Sequence, residues 1–192
     1  MAEFFLMASL MITRDEAVKL VEGRIQNQNL RKHILAVEVV MKYLARELNQ
    51  SEDTWAMAGL LHDLDYEETK GEPARHTLVT AEFLKGLDIP PEVMDAIKAH
   101  ADKKPRVTLM EKAIYCADPV TGFLVACALI RPTKKLEPID PEFAIKRMKE
   151  KRFAAGANRN SINTSAELGL PIDRFFAIAL AAMKSISAEL GL

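Results

Sequence analysis

The sequence predicts an all-α protein. Three observations carry that expectation: helical spacing of apolar residues in most segments, side-chain caps at several helix starts, and the absence of any strand-like alternation. The chain has 192 residues, enough for one domain with a sizeable core. Hydrophobic residues make up 49% and charged residues 28%, an ordinary balance for a soluble globular chain. There is no internal repeat and no low-complexity tract.

From the N-terminus, Phe4 to Ile12 is mostly apolar but lacks a basic n-region and is too short to span a bilayer. Residues 1–12 are therefore read as an apolar tail. Thr13 followed by Glu16 makes a capping box for a helix running to about Ile25. A longer helix covers about Asn29 to Leu48, with Leu30, Ile34, Val37, Val40, Met41 and Leu44 on one face. His33 falls on the same stripe. Ser51, with Thr54 three residues on, caps a third helix that holds Trp55, Ala58 and Leu61 and ends at Leu64 and Asp65.

Tyr66 to Pro73 is polar and contains Gly71 and Pro73, which predicts a loop. The next helix is expected over Arg75 to Leu87, with His76 in its first turn and Val79, Phe83 and Leu84 inward. Pro90 and Pro91 open another helix, in which Val93, Ile97 and His100 share a face. A basic loop, Lys103 to Arg106, precedes a helix capped by Thr108 and reaching Asp118. Pro119 permits a turn or a new first helical position, so Thr121 to Ile130 is read as a separate helix. Helices over about 141–151, 158–168 and 172–190 complete the chain. The domain reading is thus a helical core over 13–130 with a helical extension, 131–192, packed on it.

Net charge is -1, from 26 basic and 27 acidic residues. That gives no electrostatic footprint for bulk nucleic-acid binding. No membrane partner is expected, and a homo-oligomer is compatible with the sequence. Cys116 and Cys127 lie in apolar helical surroundings and read as buried, reduced thiols, which fits a cytoplasmic setting.

The chemistry gathers around Ala58 to Asp65, where an apolar run ends in His62-Asp63. An imidazole and a carboxylate are costly to bury unless something pairs with them, and a divalent cation would satisfy both. The chain has four histidines, His33, His62, His76 and His100. Three sit on or beside apolar helix faces and the fourth opens a helix. Imidazole with carboxylate suits borderline metals, and bundles build such sites from inward-facing side chains.

The ordered set His33, His62-Asp63, Asp118 resembles the H…HD…D signature of the HD superfamily of metal-dependent phosphohydrolases. His76 and His100 resemble the extra ligands of its dinuclear, six-ligand branches. The resemblance spans about Asn29 to Ala128. It implies an HD-domain helical bundle in which His33, His62, Asp63 and Asp118 hold one divalent ion (Mn, Fe, Ni, Co or Zn). Asp63 would bridge to a second ion held by His76 and His100. The implied reaction is hydrolysis of a phosphate ester, in a nucleotide or another small phosphorylated molecule, by metal-activated hydroxide. Two departures are visible. Asp65 stands where one branch has glycine, and Ala101 follows His100 where other branches have a second histidine, so a one-metal enzyme stays open.

Asp63, Asp65 and Arg75 are the candidate catalytic residues: Asp63 as bridging ligand, Asp65 (with Glu67) to orient water or act as general acid, and Arg75, beside His76, to meet phosphoryl oxygens. Lys70, Lys103 and Lys104 are the other nearby cations, with Arg131, Lys134, Lys135, Arg152 and Arg159 farther on. Gly156 to Asn160 is a candidate cover for the cleft. Two other readings remain at this stage, a di-iron oxygenase of the same fold and a non-catalytic module that senses nucleotides.

Overall fold

A computed structural model describes residues 11–192. The apolar tail expected at the N-terminus falls largely outside the described residues. Among these there is no strand, and the order is α1 (Arg14–Arg24), α2 (Gln28–Glu47), α3 (Glu52–Leu61), α4 (Tyr66–Thr69), α5 (Leu78–Phe83), α6 (Pro91–His100) and α7 (Leu109–Leu129). Then follow α8 (Pro141–Met148), α9 (Arg159–Asn163), a 3-10 turn (Thr164–Leu168), α10 (Ile172–Ser185) and α11 (Ser187–Leu190).

The helix starts follow the capping chemistry. Thr13 and Glu16 form a reciprocal box at α1, and Thr108 and Glu111 form another at α7. The Asn27 side chain accepts from the Asn29 and Leu30 N–H groups, so α2 begins slightly earlier than its apolar stripe.

Helices α2 and α7 are the centre of the bundle. α2 packs on α3, α7 and α10, and α7 packs on α2, α3, α6, α8, α9 and α10. α7 is long and apolar enough to cross a membrane by length and composition; here that apolarity serves a core position, with Ile114, Val120, Phe123 and Leu124 fully buried. Its second half meets the C-terminal helices through Phe123, Phe153, Phe175 and Phe176. The Phe123 ring lies 5.5 Å from that of Phe153 and 5.8 Å from that of Phe176.

Helices α3 and α2 approach closely at Gly59. A Cβ placed on Gly59 would lie 2.8 Å from the Glu38 Cα and 2.9 Å from the Val37 carbonyl carbon. Only glycine allows the backbones to meet so tightly.

Four expectations need correction. Pro119 does not divide the helix: α7 runs through it. It removes one backbone donor, but the buried face formed by Cys116, Ala117, Val120, Phe123 and Leu124 packs both halves into one core. Tyr66 to Thr69 forms a helical turn rather than a loop. The helix expected from Arg75 starts at Leu78, because Thr77 takes a left-handed conformation with φ 67°. The helix over 172–190 breaks at Ile186, giving α10 and α11.

Candidate metal centre

The six sequence-selected ligands meet at one end of the α2–α3–α7 bundle. His33 comes from α2, His62 and Asp63 follow α3, and Asp118 lies on α7. His100 ends α6, and His76 sits on the turn before α5. All but the fully buried His62 border a cavity of about 390 Å³ together with Leu30, Tyr66 and Ala101.

Hydrogen bonds fix the ring orientations. His62 Nδ1 lies 2.7 Å from the Gly59 carbonyl, and His100 Nδ1 lies 2.6 Å from the Ile97 carbonyl. A carbonyl only accepts, so both Nδ1 atoms carry the proton. His76 Nδ1 donates likewise to Asp65 Oδ1, at 2.8 Å. His33 Nδ1 meets Thr121 Oγ1 at 3.0 Å, and that hydroxyl donates its own proton to the Asp118 carbonyl, so His33 is again the donor. In the neutral rings all four Nε2 atoms therefore present lone pairs. Such outward anchoring of Nδ1 is the usual support for an imidazole that ligates through Nε2.

Those Nε2 atoms converge on two carboxylates. Asp63 Oδ2 is 3.7 Å from His33 Nε2 and 3.4 Å from His62 Nε2. Asp63 Oδ1 is 3.4 Å from His76 Nε2 and 3.5 Å from His100 Nε2. Asp118 Oδ1 is 3.1 Å from His33 Nε2. One carboxylate thus turns one oxygen to each pair of histidines. With metal–ligand bonds of about 2.1 Å, neighbouring ligands in an octahedral or tetrahedral shell lie about 3.0–3.4 Å apart. Three of the five separations fall in that range, and the His100 and His33 contacts to Asp63, at 3.5 and 3.7 Å, lie just above it.

Without a cation the arrangement is unfavourable. His62 Nε2 is buried with no hydrogen-bond partner. The His76 and His100 Nε2 atoms face each other at 3.2 Å, and two lone pairs at that distance need a proton or a metal between them. Burial works against a charged His33, yet the hydrogen bond and charge of Asp118 outweigh it, so its pKa lies above the ordinary histidine value. Burial likewise opposes ionisation of Asp63, but the surrounding imidazoles hold its pKa well below the usual carboxylate range. The cluster favours positive charge at its centre, and this donor set fits divalent ions. Within the described residues, His33, His62 and Asp118, and His62, Asp63 and His100, are each close enough to share one ion.

Two of the candidate catalytic residues take other positions. Asp65 is 1% exposed and stands behind His76. Its Oδ1 holds the His76 ring and its Oδ2 accepts from the Thr80 N–H at 3.0 Å. Both oxygens are engaged there, so Asp65 braces the His76 ring and the first turn of α5 and does not line the cleft. Arg75 points to Glu68 and Glu72 on the surface, at 3.1 and 3.5 Å. Two carboxylates outcompete the cleft for its guanidinium. Glu67, paired with Asp65 in the expectation, accepts from the Gln26 and Asn27 N–H groups and ties α4 to the α1–α2 link. Arg159 donates to carbonyls of Met148, Glu150, Phe153, Ala154 and Ala157, so it gathers the chain after α8, and the 156–160 stretch does not line the cleft.

Thr121, the hydroxyl between His33 and Asp118, was not picked out from the sequence. Its spacing of three from Asp118 was the available signal.

The family described as HD domain matches residues 30–122. Among curated proteins, a Ribonuclease Y from Sulfurovum sp. (strain NBC37-1) is 27% identical over 176 residues, covering 82% of this chain and 34% of the relative. A Ribonuclease Y from Geotalea uraniireducens (strain Rf4) is 30% identical over 112 residues, 56% of this chain and 21% of the relative. Another, from Geobacter metallireducens, is 31% identical over 113 residues with the same coverage. The chain therefore spans about a third or less of the length of these relatives. No solved structure matches it. The relatives are named for action on RNA, which overturns the expectation of a small phosphorylated partner without bulk nucleic-acid binding. Net charge averages over the whole surface, whereas contact with a phosphate chain depends on a few local groups.

Proposed function

We propose, on the premise that residues 30–122 are an HD domain from a superfamily of metal-dependent phosphohydrolases, that this protein hydrolyses phosphodiester bonds in RNA. The observation that carries the reading is the division of Asp63 between two histidine pairs. His33, His62, Asp118 and Asp63 Oδ2 would hold one divalent ion; His76, His100 and Asp63 Oδ1 would hold a second. Bound there, divalent ions supply Lewis acidity, which acidifies a water and neutralises charge on phosphoryl oxygens.

The protein's own groups do the rest. The Nδ1–H donors keep four lone pairs aimed inward, so little reorganisation accompanies metal uptake. Asp65 fixes the His76 ring from behind. The ligand cluster opens on the cavity and is not closed over by protein, as a site that admits substrate must be. RNA as the substrate class is supported by the relatives' name and by the cavities beside the cluster.

The test is to load purified protein with Mn, Fe, Ni, Co or Zn, measure bound metal, and assay single-stranded RNA, mononucleotides and small phosphodiesters. Metal-dependent RNA cleavage that His62→Ala abolishes is expected. Stoichiometric metal with oxygen uptake and no phosphate-ester hydrolysis would refute the proposal, as would RNA cleavage that persists in His62→Ala.

A further inference from the structure

The metal cleft continues into a neighbouring cavity of about 660 Å³, bounded by Gln26, Asn27, Leu30, Tyr66, Glu67 and Lys70. Leu30 and Tyr66 border both spaces. Tyr66 is an aromatic residue 42% exposed to solvent. Its ring meets the edge of the His76 ring at a centroid distance of 5.6 Å, which places it at the rim of the metal cluster. Among the described residues its hydroxyl makes no hydrogen bond that would account for an aromatic side chain in this place.

Lys70 follows one helical turn after Tyr66. Three cations that flank the candidate ligands in sequence are engaged elsewhere: Arg75 with Glu68 and Glu72, Lys103 with the Pro73 carbonyl, and Lys104 with Asp95 and Glu111. The Lys70 ammonium has no hydrogen bond or contact ion pair in the described structure. The one carboxylate bordering the cavity, Glu67, feels the Lys70 charge but is already held by the Gln26 and Asn27 N–H groups.

A second cavity, beyond His33, has Val125, Leu129 and Leu190 among its lining residues, with Lys32 as its cation and no Phe, Tyr or Trp. The two sides of the metal cluster are therefore unlike. An exposed ring beside an unpaired cation, next to a phosphate-hydrolysing centre, is the pairing that binds a base and its flanking phosphate.

We propose that Tyr66 and Lys70 form a nucleotide subsite for single-stranded RNA, the ring stacking on the base next to the scissile phosphate and the ammonium pairing with the following phosphate. This rests on the RNA-cleaving reading above. It assigns these two residues to substrate binding and places the extra nucleotide on the α1–α2 side of the cleft.

The test measures binding of a single-stranded RNA tetranucleotide, a mononucleotide and inorganic phosphate to the full chain loaded with metal, with bound metal quantified for every variant. For the wild type, the tetranucleotide should bind more tightly than the mononucleotide. Tyr66→Leu should lose about tenfold or more of tetranucleotide affinity, and Tyr66→Phe should keep it. Lys70→Gln should weaken tetranucleotide binding and reduce the slope of log affinity against log salt by about 0.7. Wild-type tetranucleotide affinity in both Tyr66→Leu and Lys70→Gln would overturn the subsite while leaving RNA cleavage standing. Loss of metal and of phosphate binding in Tyr66→Leu would also overturn it, because the ring would then act only as support for His76. If the wild type itself binds the tetranucleotide no better than the mononucleotide, the RNA reading fails first.

Discussion

The tight meeting of α2 and α3 makes a sharp prediction. In Gly59→Ala the new methyl would sit 2.8 Å from the Glu38 Cα, 2.9 Å from the Glu38 nitrogen and 2.9 Å from the Val37 carbonyl carbon. These are backbone atoms and no rotamer change moves them. Restoring ordinary carbon–carbon contact of about 3.5–4.0 Å requires the helices to part by roughly 0.6–1 Å. Overpacking of this kind costs about 1–3 kcal/mol. At about 2–4 °C per kcal/mol for a chain of this size, the melting temperature should fall by roughly 2–12 °C. The same displacement separates His33 on α2 from His62 after α3, whose ring centroids lie 5.3 Å apart. Metal–ligand distances tolerate only about 0.2 Å, so metal affinity should drop at least about tenfold. Gly122→Ala is the control, since a Cβ there meets nothing within 4 Å and sits inside α7; it should gain about 0.5–1 kcal/mol. Calorimetry of metal-free protein and isothermal titration with Mn measure the two effects separately. Wild-type metal affinity together with an unchanged melting temperature in Gly59→Ala would refute the reasoning.

Three further outcomes follow from the same geometry. Asp65→Asn removes the charge that holds His76 and should lower metal affinity at the His76–His100 half by about 10–100-fold, read by metal stoichiometry against concentration; unchanged occupancy would show that Asp65 does not support the ligand. Adding a metal at a hundred times its dissociation constant should stabilise the fold by about 2.7 kcal/mol, seen as a rise in melting temperature that a chelator reverses and that His62→Ala lacks. Glu111 is buried, and although burial alone would raise its pKa, Lys104 and the Thr108 and Val107 N–H groups hold it down to about 2. A lowered carboxyl pKa stabilises the fold above the unfolded value near 4.5, and that contribution disappears as pH falls through about 2, so on the order of 3 kcal/mol should be lost across that window. Denaturant titrations from pH 5 to 2 should show a shallower decline in Glu111→Gln; parallel curves would contradict the assignment.

Much of the fold was visible in the sequence because local chemistry set it. Thr13 with Glu16, and Thr108, mark helix starts by short-range caps; the Glu111 half of the second box emerged only in the structure. The stripe from Leu30 through His33 to Val37 put one histidine inward on α2, and His100 was placed by its spacing from Ile97. What escaped depended on distant partners. Asp65 reads locally as a polar helix end, yet its two oxygens are claimed by His76 and the Thr80 N–H, eleven and fifteen residues away. Arg75 is next to a ligand in sequence, but competition among surface carboxylates turned it outward. Pro119 looked like a break because its neighbours in sequence cannot reveal that residues on both sides of it pack into the same core. Thr77 carries a left-handed backbone that its β-branched side chain disfavours, and only the demands of the His76 turn account for it.

The six ligands are not mounted alike. His33 and Asp118 ride on helices locked together through the bundle core and His62 caps the end of a third, whereas His76 hangs on a turn steadied by Asp65 and by the left-handed Thr77. A stiff mount keeps its geometry when empty; a suspended one must be re-formed at each filling. The first half would therefore hold its ion through many turnovers while the second exchanges with the surroundings. Catalytic output would then track the free concentration of the exchangeable ion, making the amount of enzyme a poor guide to its rate.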